Sequence, residues 1–135
     1  MIRPATAADL AAAAALWEVA GGPTRTPGSL AVAERLFARD PEALLVAVDG
    51  DEVVGTIVVG WDGWRCHLYR LAVLPAHRRR GIAAELVAAA VERASALGAT
   101  RLDAMVADAN HGAVAFWAAA GFGRDDDDHR WSCSA

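Results

Sequence analysis

Residues 68–87 read LYRLAVLPAHRRRGIAAELV, and this stretch decides the fold. An apolar run that ends at Pro75 is typical of a β-strand, and the alanine-rich segment from Gly81 onward is typical of a helix. Backbone N–H groups at a helix N-terminus lack partners within the helix, and the helix dipole attracts anions there. The loop between strand and helix therefore predicts a pyrophosphate site, although a solvated basic loop is the alternative interpretation of its arginines. The residues of the predicted site are Arg78, Arg79, Arg80, Gly81, Ile82 and Ala83.

An antiparallel meander of three strands is predicted upstream of this loop. The strands cover residues 43–48, 52–61 and 65–73, and the second of them is long and rich in β-branched residues. Asp62-Gly63 has the composition of a two-residue hairpin turn. We therefore expect the strand before Pro75 to be the third arm of this meander.

The remaining segments predict a helix-rich periphery. Thr6 and Asp9 have capping-box spacing and Ser29 is a candidate N-cap, so two helices are expected before the meander. Gly21-Gly22-Pro23 is expected to end the first helix, and residues 23–28 are expected to form a loop. Further elements are a short strand over 2–5, a helix over 81–97 capped by Gly98, a strand over 101–106, a helix over 112–120 and a strand over 129–133. The predicted order is βααβββαβαβ, an α/β (or α+β) fold in one domain, residues 1–135.

Composition limits the function classes that fit this chain. It has 135 residues, 55% of them hydrophobic and 22% charged, so disorder is not expected. A net charge of −4 and a pI near 5.5 argue against a nucleic-acid partner. No apolar run reaches the roughly 18 residues of a membrane span, and the first residues do not resemble a secretory signal. We expect a cytoplasmic protein with no membrane partner, and free buried thiols at Cys66 and Cys133.

A second motif lies downstream of the arginine loop. Asn110-x-x-Ala113-x-x-Phe116-Trp117 is followed by Gly121-Phe122. Together with the arginine loop, the two N-terminal helices and the meander, this motif resembles the GNAT superfamily of N-acetyltransferases. Residues 44–75 are similar to the small bacterial YpeA-type members, which carry a comparable glycine-aromatic-Asp-Gly hairpin. The resemblance covers nearly the whole chain.

The resemblance implies a GNAT domain with a mixed, mostly antiparallel sheet flanked by helices. It implies acetyl-CoA as cosubstrate, an amine as acceptor, and a homodimer as a frequent state of the family. The fourth strand splays from the fifth in this family, so Leu71, Ala72 and Val73 would pair with the pantetheine arm through their backbone. The Val73 N–H is a candidate to polarise the thioester carbonyl. Asn110 matches a position that contacts the cofactor arm.

The general base is predicted to be His67. The family commonly places a carboxylate four residues before the position of Leu71, and a histidine can accept a proton at neutral pH. Strand alternation puts His67, Tyr69, Leu71 and Val73 on one face. A histidine bonded to neighbouring backbone is the equal alternative, and Asp62 and Glu52 are the other carboxylates considered.

Trp117 departs from the family pattern and belongs to the predicted cofactor-binding set. The family usually has a tyrosine there, whose hydroxyl can protonate the CoA thiolate, whereas an indole N–H is no acid at biological pH. Tyr69 is the only phenol in the chain. Three alternatives follow: Tyr69 is the catalytic acid, water supplies the proton, or transfer is slow.

Two further features have plain interpretations. The acidic run over residues 125–128 with His129 is expected to be a solvated loop, so no metal site is predicted. Trp17, Trp61, Trp64 and Trp131 are expected in the core or lining a groove.

The leading hypothesis is an acetyl-CoA-dependent N-acetyltransferase acting on a small amine or a protein N-terminus. The alternative is a CoA-binding sensor with little turnover, and an arginine-rich nucleic-acid binder is disfavoured.

Overall fold

The computed structural model describes residues 1–20 and 28–135. These residues form two compact units, Met1–Met105 and Val106–Ala135, each of which is described by itself. The expected loop over residues 23–28 and the expected helix stop at residues 21–23 fall almost entirely outside the described residues. None of the described helices is both long and apolar enough to span a membrane.

The first unit is built on a five-stranded sheet whose spatial order follows the chain. Its first four strands are antiparallel neighbours, and the fifth pairs with the fourth in parallel. This mixed sheet confirms the predicted α/β fold. The strands are β1 (Ile2–Pro4), β2 (Leu44–Asp49), β3 (Glu52–Trp61), β4 (Cys66–Val73) and β5 (Leu102–Ala104).

Among the described residues there are four α-helices, and their ends agree with the capping residues in the sequence. They are α1 (Leu10–Ala20), α2 (Leu30–Arg39), α3 (Ile82–Leu97) and, in the second unit, α4 (His111–Ala119). The Thr6 backbone N–H donates to the Asp9 carboxylate at 2.7 Å, which completes the predicted capping box. The Ser29 hydroxyl accepts from the Val32 N–H at 3.2 Å, and Gly98 ends α3 with φ +96°.

Helices of the first unit pack on both faces of its sheet. Trp17 of α1 lies in one core cluster with Val58 of β3 and Ala72 of β4. A side chain at Gly55 would instead meet Leu86 of α3, so α3 covers the opposite face. The sheet face that packs against α1 and α2 also includes the part of β4 that carries the two catalytic candidates, His67 and Tyr69.

A β-bulge in β4 changes which residues share that face. Val58 pairs with Tyr69 and Thr56 pairs with Ala72, so β4 has one more residue than β3 between these pairs. His67 and Tyr69 therefore share a face with Ala72, whereas Val73 points to the other face with Leu68. The expectation that His67, Tyr69, Leu71 and Val73 share one face is wrong, because the extra residue shifts the alternation.

Local predictions at the hairpin and the tail are also corrected. The β3–β4 connection is a four-residue loop from Asp62 to Arg65, since Trp61 pairs with Cys66. No strand forms over residues 129–133, where the described residues are exposed and without regular structure. Cys66 is buried as expected, but Cys133 is exposed.

Two of the four tryptophans expected in the core or lining a groove also differ from expectation. Trp17 is buried, but Trp64 is 82% exposed and Trp131 is 93% exposed. Trp64 stands at the hairpin tip, where the Arg65 guanidinium lies 5.5 Å from its ring centre. Neither exposed ring belongs to the core.

Candidate active site

The outer edge of β4 is paired over only part of its length. Strand β5 pairs with Cys66, His67 and Leu68, and within the described residues the ladder stops there although β4 continues to Val73. The rest of β4 keeps its partners in β3 on the other side. This leaves a stretch of strand edge, from Tyr69 to Val73, beside the start of α3.

The bulge at the start of this open stretch is held by a buried polar chain. Arg70 has φ +55°, a left-handed conformation that is uncommon for a residue with a side chain. The Trp17 indole donates to the Thr56 hydroxyl at 2.9 Å, and that hydroxyl donates to the Arg70 carbonyl at 2.8 Å. Thr56 is fully buried, so each group of the chain is satisfied within the protein.

The Arg70 side chain also lies against Trp17, which belongs to α1. Its guanidinium lies 5.3 Å from the centre of the Trp17 ring, and burial lowers its pKa. A Cβ at Gly28 would lie 2.6 Å from the Trp17 ring, so glycine allows the chain to pass there. The bulge is thus connected to α1 through both its backbone and its side chain.

The direction of the Val73 backbone follows from its neighbour. The Leu74 N–H donates to the Val54 carbonyl of β3 at 2.8 Å. Since successive backbone groups of a strand point to alternate sides, the Val73 N–H points toward the open edge. The Arg78 Nε donates to the Val73 carbonyl at 3.2 Å, which connects the arginine loop to that edge.

The loop that precedes α3 is exposed and has two left-handed residues. Arg79 has φ +64° and Gly81 has φ +80°, and Gly81 is the N-cap of α3. A Cβ at Gly81 would meet no atom within 4 Å, so the space above this residue is open. The side chains of residues 78–80 are exposed, and the N-terminus of α3 follows them directly at Gly81. Exposed backbone N–H groups at a helix N-terminus are suited to binding an anion.

His67 lies on the paired part of β4. Its direct partner in β5 is Asp103, and the His67 Nδ1 is 3.8 Å from the Asp103 Oδ2. The other oxygen of Asp103, Oδ1, accepts from the Arg101 Nε at 3.3 Å. The His67 side chain is 54% exposed, so solvent reaches the ring.

Tyr69 lies two residues further along, on the same face as His67. A Cβ at Gly60 would be 2.8 Å from the Tyr69 Cε1, so the glycine lets the phenol lie across β3. Partial burial raises the pKa of Tyr69, and a phenol is in any case protonated at neutral pH.

The two other candidate carboxylates, Asp62 and Glu52, are not well placed to act as the general base. The Asp62 Oδ1 accepts from the Arg65 N–H at 2.6 Å and from the Trp64 N–H at 2.8 Å, and these backbone bonds lower its pKa. Asp62 therefore shapes the hairpin loop. Glu52 pairs with Asp49 at the opposite end of β3 from Gly60, the partner of His67.

The second unit carries the two remaining candidates. The Asn110 side chain accepts from the Ala113 N–H at 3.1 Å and so caps α4. The Trp117 ring packs edge-on against Phe122, with ring centres 4.8 Å apart, and against Phe116 at 5.6 Å. Asn110 has a structural role in capping, and Trp117 belongs to a small aromatic cluster.

Sequence reasoning missed three residues that shape the site. Thr56 is a lone hydroxyl in the apolar run VVGTIVV, and Asp103 is a lone carboxylate in the short strand LDA. Thr56 could have been singled out as a polar residue in a buried strand. Nothing in the sequence marks Arg70 as the residue of a bulge.

The comparison with family models decides the identity of this fold. The model described as "Acetyltransferase (GNAT) family" matches residues 10–122, most of the chain. The chain belongs to the GNAT acetyltransferase family. This match extends over parts of both units.

Individual relatives of this GNAT chain agree with the family assignment. An acetyltransferase of Sodalis glossinidius (strain morsitans) is 37% identical over 84 residues, which are 62% of this chain and 59% of that protein. The chain thus spans about three-fifths of the length of this curated relative.

Two solved structures share the fold. A ribosomal-protein-alanine N-acetyltransferase from Brucella melitensis is 28% identical with a TM-score of 0.75, covering 90% of this chain and 83% of that one. A Mycobacterium tuberculosis protein, solved in complex with CoA and NLQ, is 22% identical with a TM-score of 0.68. That likeness covers 83% of this chain and 70% of that one.

Proposed function

We propose that this protein is an acetyl-CoA-dependent N-acetyltransferase. It transfers the acetyl group to the primary amine of a small molecule or a protein N-terminus, by direct attack in a ternary complex. The observation that carries the proposal is the open edge of β4 beside the glycine-capped start of α3. Membership of the GNAT family and a structural neighbour that binds CoA support it.

The cofactor is proposed to lie along that edge. The backbone of Leu71, Ala72 and Val73 would pair with the pantetheine amides, as an added strand pairs with a sheet edge. The loop over residues 78–83 would bind the pyrophosphate through its backbone amides and arginine charge. The acetyl carbonyl would then lie near the Val73 N–H, which polarises it.

The chemical step moves one acetyl group and one proton. The acceptor nitrogen attacks the thioester carbonyl carbon, a C–N bond forms, and the C–S bond breaks to release the CoA thiolate. His67 takes a proton from the amine, directly or through a water molecule. The thiolate is protonated by Tyr69 or by solvent to give CoA.

A CoA sensor with little turnover is the second candidate. It is favoured by Trp117, which cannot donate a proton as an acid where the family usually has a tyrosine. Replacing Trp117 by tyrosine is expected to raise kcat if proton delivery limits the rate, without altering acetyl-CoA affinity. A companion Tyr69→Phe variant tests whether the Tyr69 phenol already acts as the acid that protonates the thiolate.

Thiol release from acetyl-CoA, measured with a panel of primary amines, tests the proposal. Amine-dependent release together with acetylated product is the expected result. A thermal shift with acetyl-CoA but no release with any amine would favour the sensor. The absence of both would contradict cofactor binding itself.

A further inference from the structure

We propose that Asp103 is a positioning residue that orients His67 for proton transfer. The inference rests on the proposed function, since it assigns a partner to the proposed base. It adds to the site a residue of β5 that is 36 positions away in sequence (103 − 67). The two side chains meet because β4 and β5 pair in parallel with His67 directly opposite Asp103.

The geometry divides the carboxylate between two partners. Asp103 Oδ1 accepts from Arg101 Nε at 3.3 Å, and Asp103 Oδ2 lies 3.8 Å from His67 Nδ1. Arg101 thereby binds one carboxylate oxygen, and the second oxygen is the one nearest the imidazole. The ion-pair distance is longer than a hydrogen bond, and catalytic hydrogen bonds are often long before substrate binds.

The carboxylate determines which ring nitrogen is free. A proton on Nδ1 is favoured by the adjacent Asp103 oxygen, so Nε2 is left as the proton acceptor. Nε2 is at the far end of the ring from β5, and the side chain is half exposed there. The carboxylate also stabilises the imidazolium that forms when the amine gives up its proton.

The other groups around His67 do not duplicate this role. In β3 its partner is Gly60, which has no side chain, and on β4 the nearest titratable group of the same face is Tyr69. In the hairpin loop, the Asp62 carboxylate interacts with His67 only through space and is bonded to two backbone N–H groups. Of the described residues, Asp103 is therefore the carboxylate in ion-pair contact with His67.

The first test reads the tautomer of His67 without any turnover. Long-range ¹H–¹⁵N NMR at a pH where the ring is neutral, with signals assigned through His67→Ala, should show mainly the Nδ1–H form. Asp103→Asn should move the population toward the Nε2–H form. The matched control is Asp62→Asn, which removes one nearby charge but keeps an oxygen that can accept the same loop bonds. It should leave the tautomer unchanged.

The second test reads the reaction. Asp103→Asn should lower kcat about tenfold or more with little change in the KM for acetyl-CoA. Asp103→Glu should restore part of the rate. The melting temperature should stay close to that of the wild type, because exposed ion pairs contribute little to stability.

The outcomes separate this inference from the proposed function. An identical tautomer ratio in wild type and Asp103→Asn overturns it, as does a changed ratio with an unchanged rate. If His67→Ala keeps the wild-type rate, the proposed base is wrong and no catalytic role is left for Asp103. Amine-dependent thiol release would then still stand as a test of acetyl transfer.

Discussion

The two halves of β4 differ in how their edges are used. Residues Cys66 to Leu68 are paired on both sides, with β3 and with β5, and their side chains alternate regularly between the faces. Residues Tyr69 to Val73 are paired only with β3 among the described strands, and they begin with a bulge at Arg70. One strand thus has a closed half and an open half.

The comparison shows how a single strand can serve two chemical needs. The closed half fixes a side chain, since the register with β5 brings Asp103 to His67. The open half presents backbone N–H and C=O groups at the strand edge, whereas such groups in the interior of a sheet are paired with a neighbouring strand. The bulge separates these halves and changes the alternation of side chains between them.

The largest effect is expected in the closed half, from His67→Ala. Loss of a general base typically costs about 10²–10⁴-fold in rate, so kcat/KM for an amine should fall by this order and its acid limb should disappear. The acetyl-CoA thermal shift should persist, because the open half is untouched. A limb that survives in the variant would mean that the acceptor amine or another group titrates.

The next effect is expected beside the open half, from Gly81→Leu. A side chain there would occupy the open space above the α3 N-terminus and strain a residue with φ +80°. Affinity for acetyl-CoA should fall about 100-fold, nearly 3 kcal/mol, and the thermal shift should disappear.

Gly98→Leu is the matched control for this variant. Gly98 caps the other end of α3 with φ +96° and also has open space around its Cβ position. The Gly98→Leu variant should introduce similar backbone strain and leave the thermal shift with acetyl-CoA unchanged. Equal loss in both variants would place the pyrophosphate elsewhere.

A smaller effect is expected at the junction, from Thr56→Val. The change removes the hydroxyl between Trp17 and Arg70 and leaves a buried N–H and a buried carbonyl unpaired. Such a loss should lower the free energy of unfolding by about 2 kcal/mol, as measured by chemical denaturation. Thr56→Ser keeps the hydroxyl and should cost less. If the bulge shapes the open edge, Thr56→Val should also weaken the thermal shift with acetyl-CoA. An unchanged thermal shift would show that acetyl-CoA binding does not depend on the bulge.

The smallest effect concerns pH and Tyr69, the first residue of the open half. Burial raises the pKa of Tyr69, so the folded state holds the phenolic proton more tightly than the unfolded state. Stability should therefore fall as pH rises above about 10, the ordinary value for a tyrosine. Tyr69→Phe should make the fall shallower in denaturation curves between pH 9 and pH 11. Identical slopes in both proteins would contradict a phenol held protonated by burial.

Much of the fold was predictable because its signals are local. The Thr6–Asp9 capping box, the Ser29 cap and Gly98 mark helix ends through bonds within a few residues, and all three are confirmed. The four predicted helices and the five strands up to residue 106 also form. The strand predicted over residues 129–133 was wrong, because a strand needs backbone pairing with another strand and the described residues there make none.

The candidate site was predictable only in part for the same reason. The arginine loop and Gly81 follow from a contiguous motif, and the structure gives Gly81 the left-handed conformation that its role requires. The shared face of His67 and Val73 was wrong, because the alternation rule assumes a regular strand and the bulge breaks it. Asp103 could not be identified, since nothing in the sequence states which residue of β5 lies opposite His67.

The sequence by itself determined the elements, their caps, the family resemblance and the loop that starts α3. These depend on periodicity and on backbone conformations set by neighbouring residues. The tertiary structure alone decided where the bulge lies in β4, where β5 stops pairing with it, and that Asp103 meets His67. Each of these is a matter of register between segments far apart in the chain, and register is fixed only when the side chains of Trp17, Thr56 and the sheet pack together.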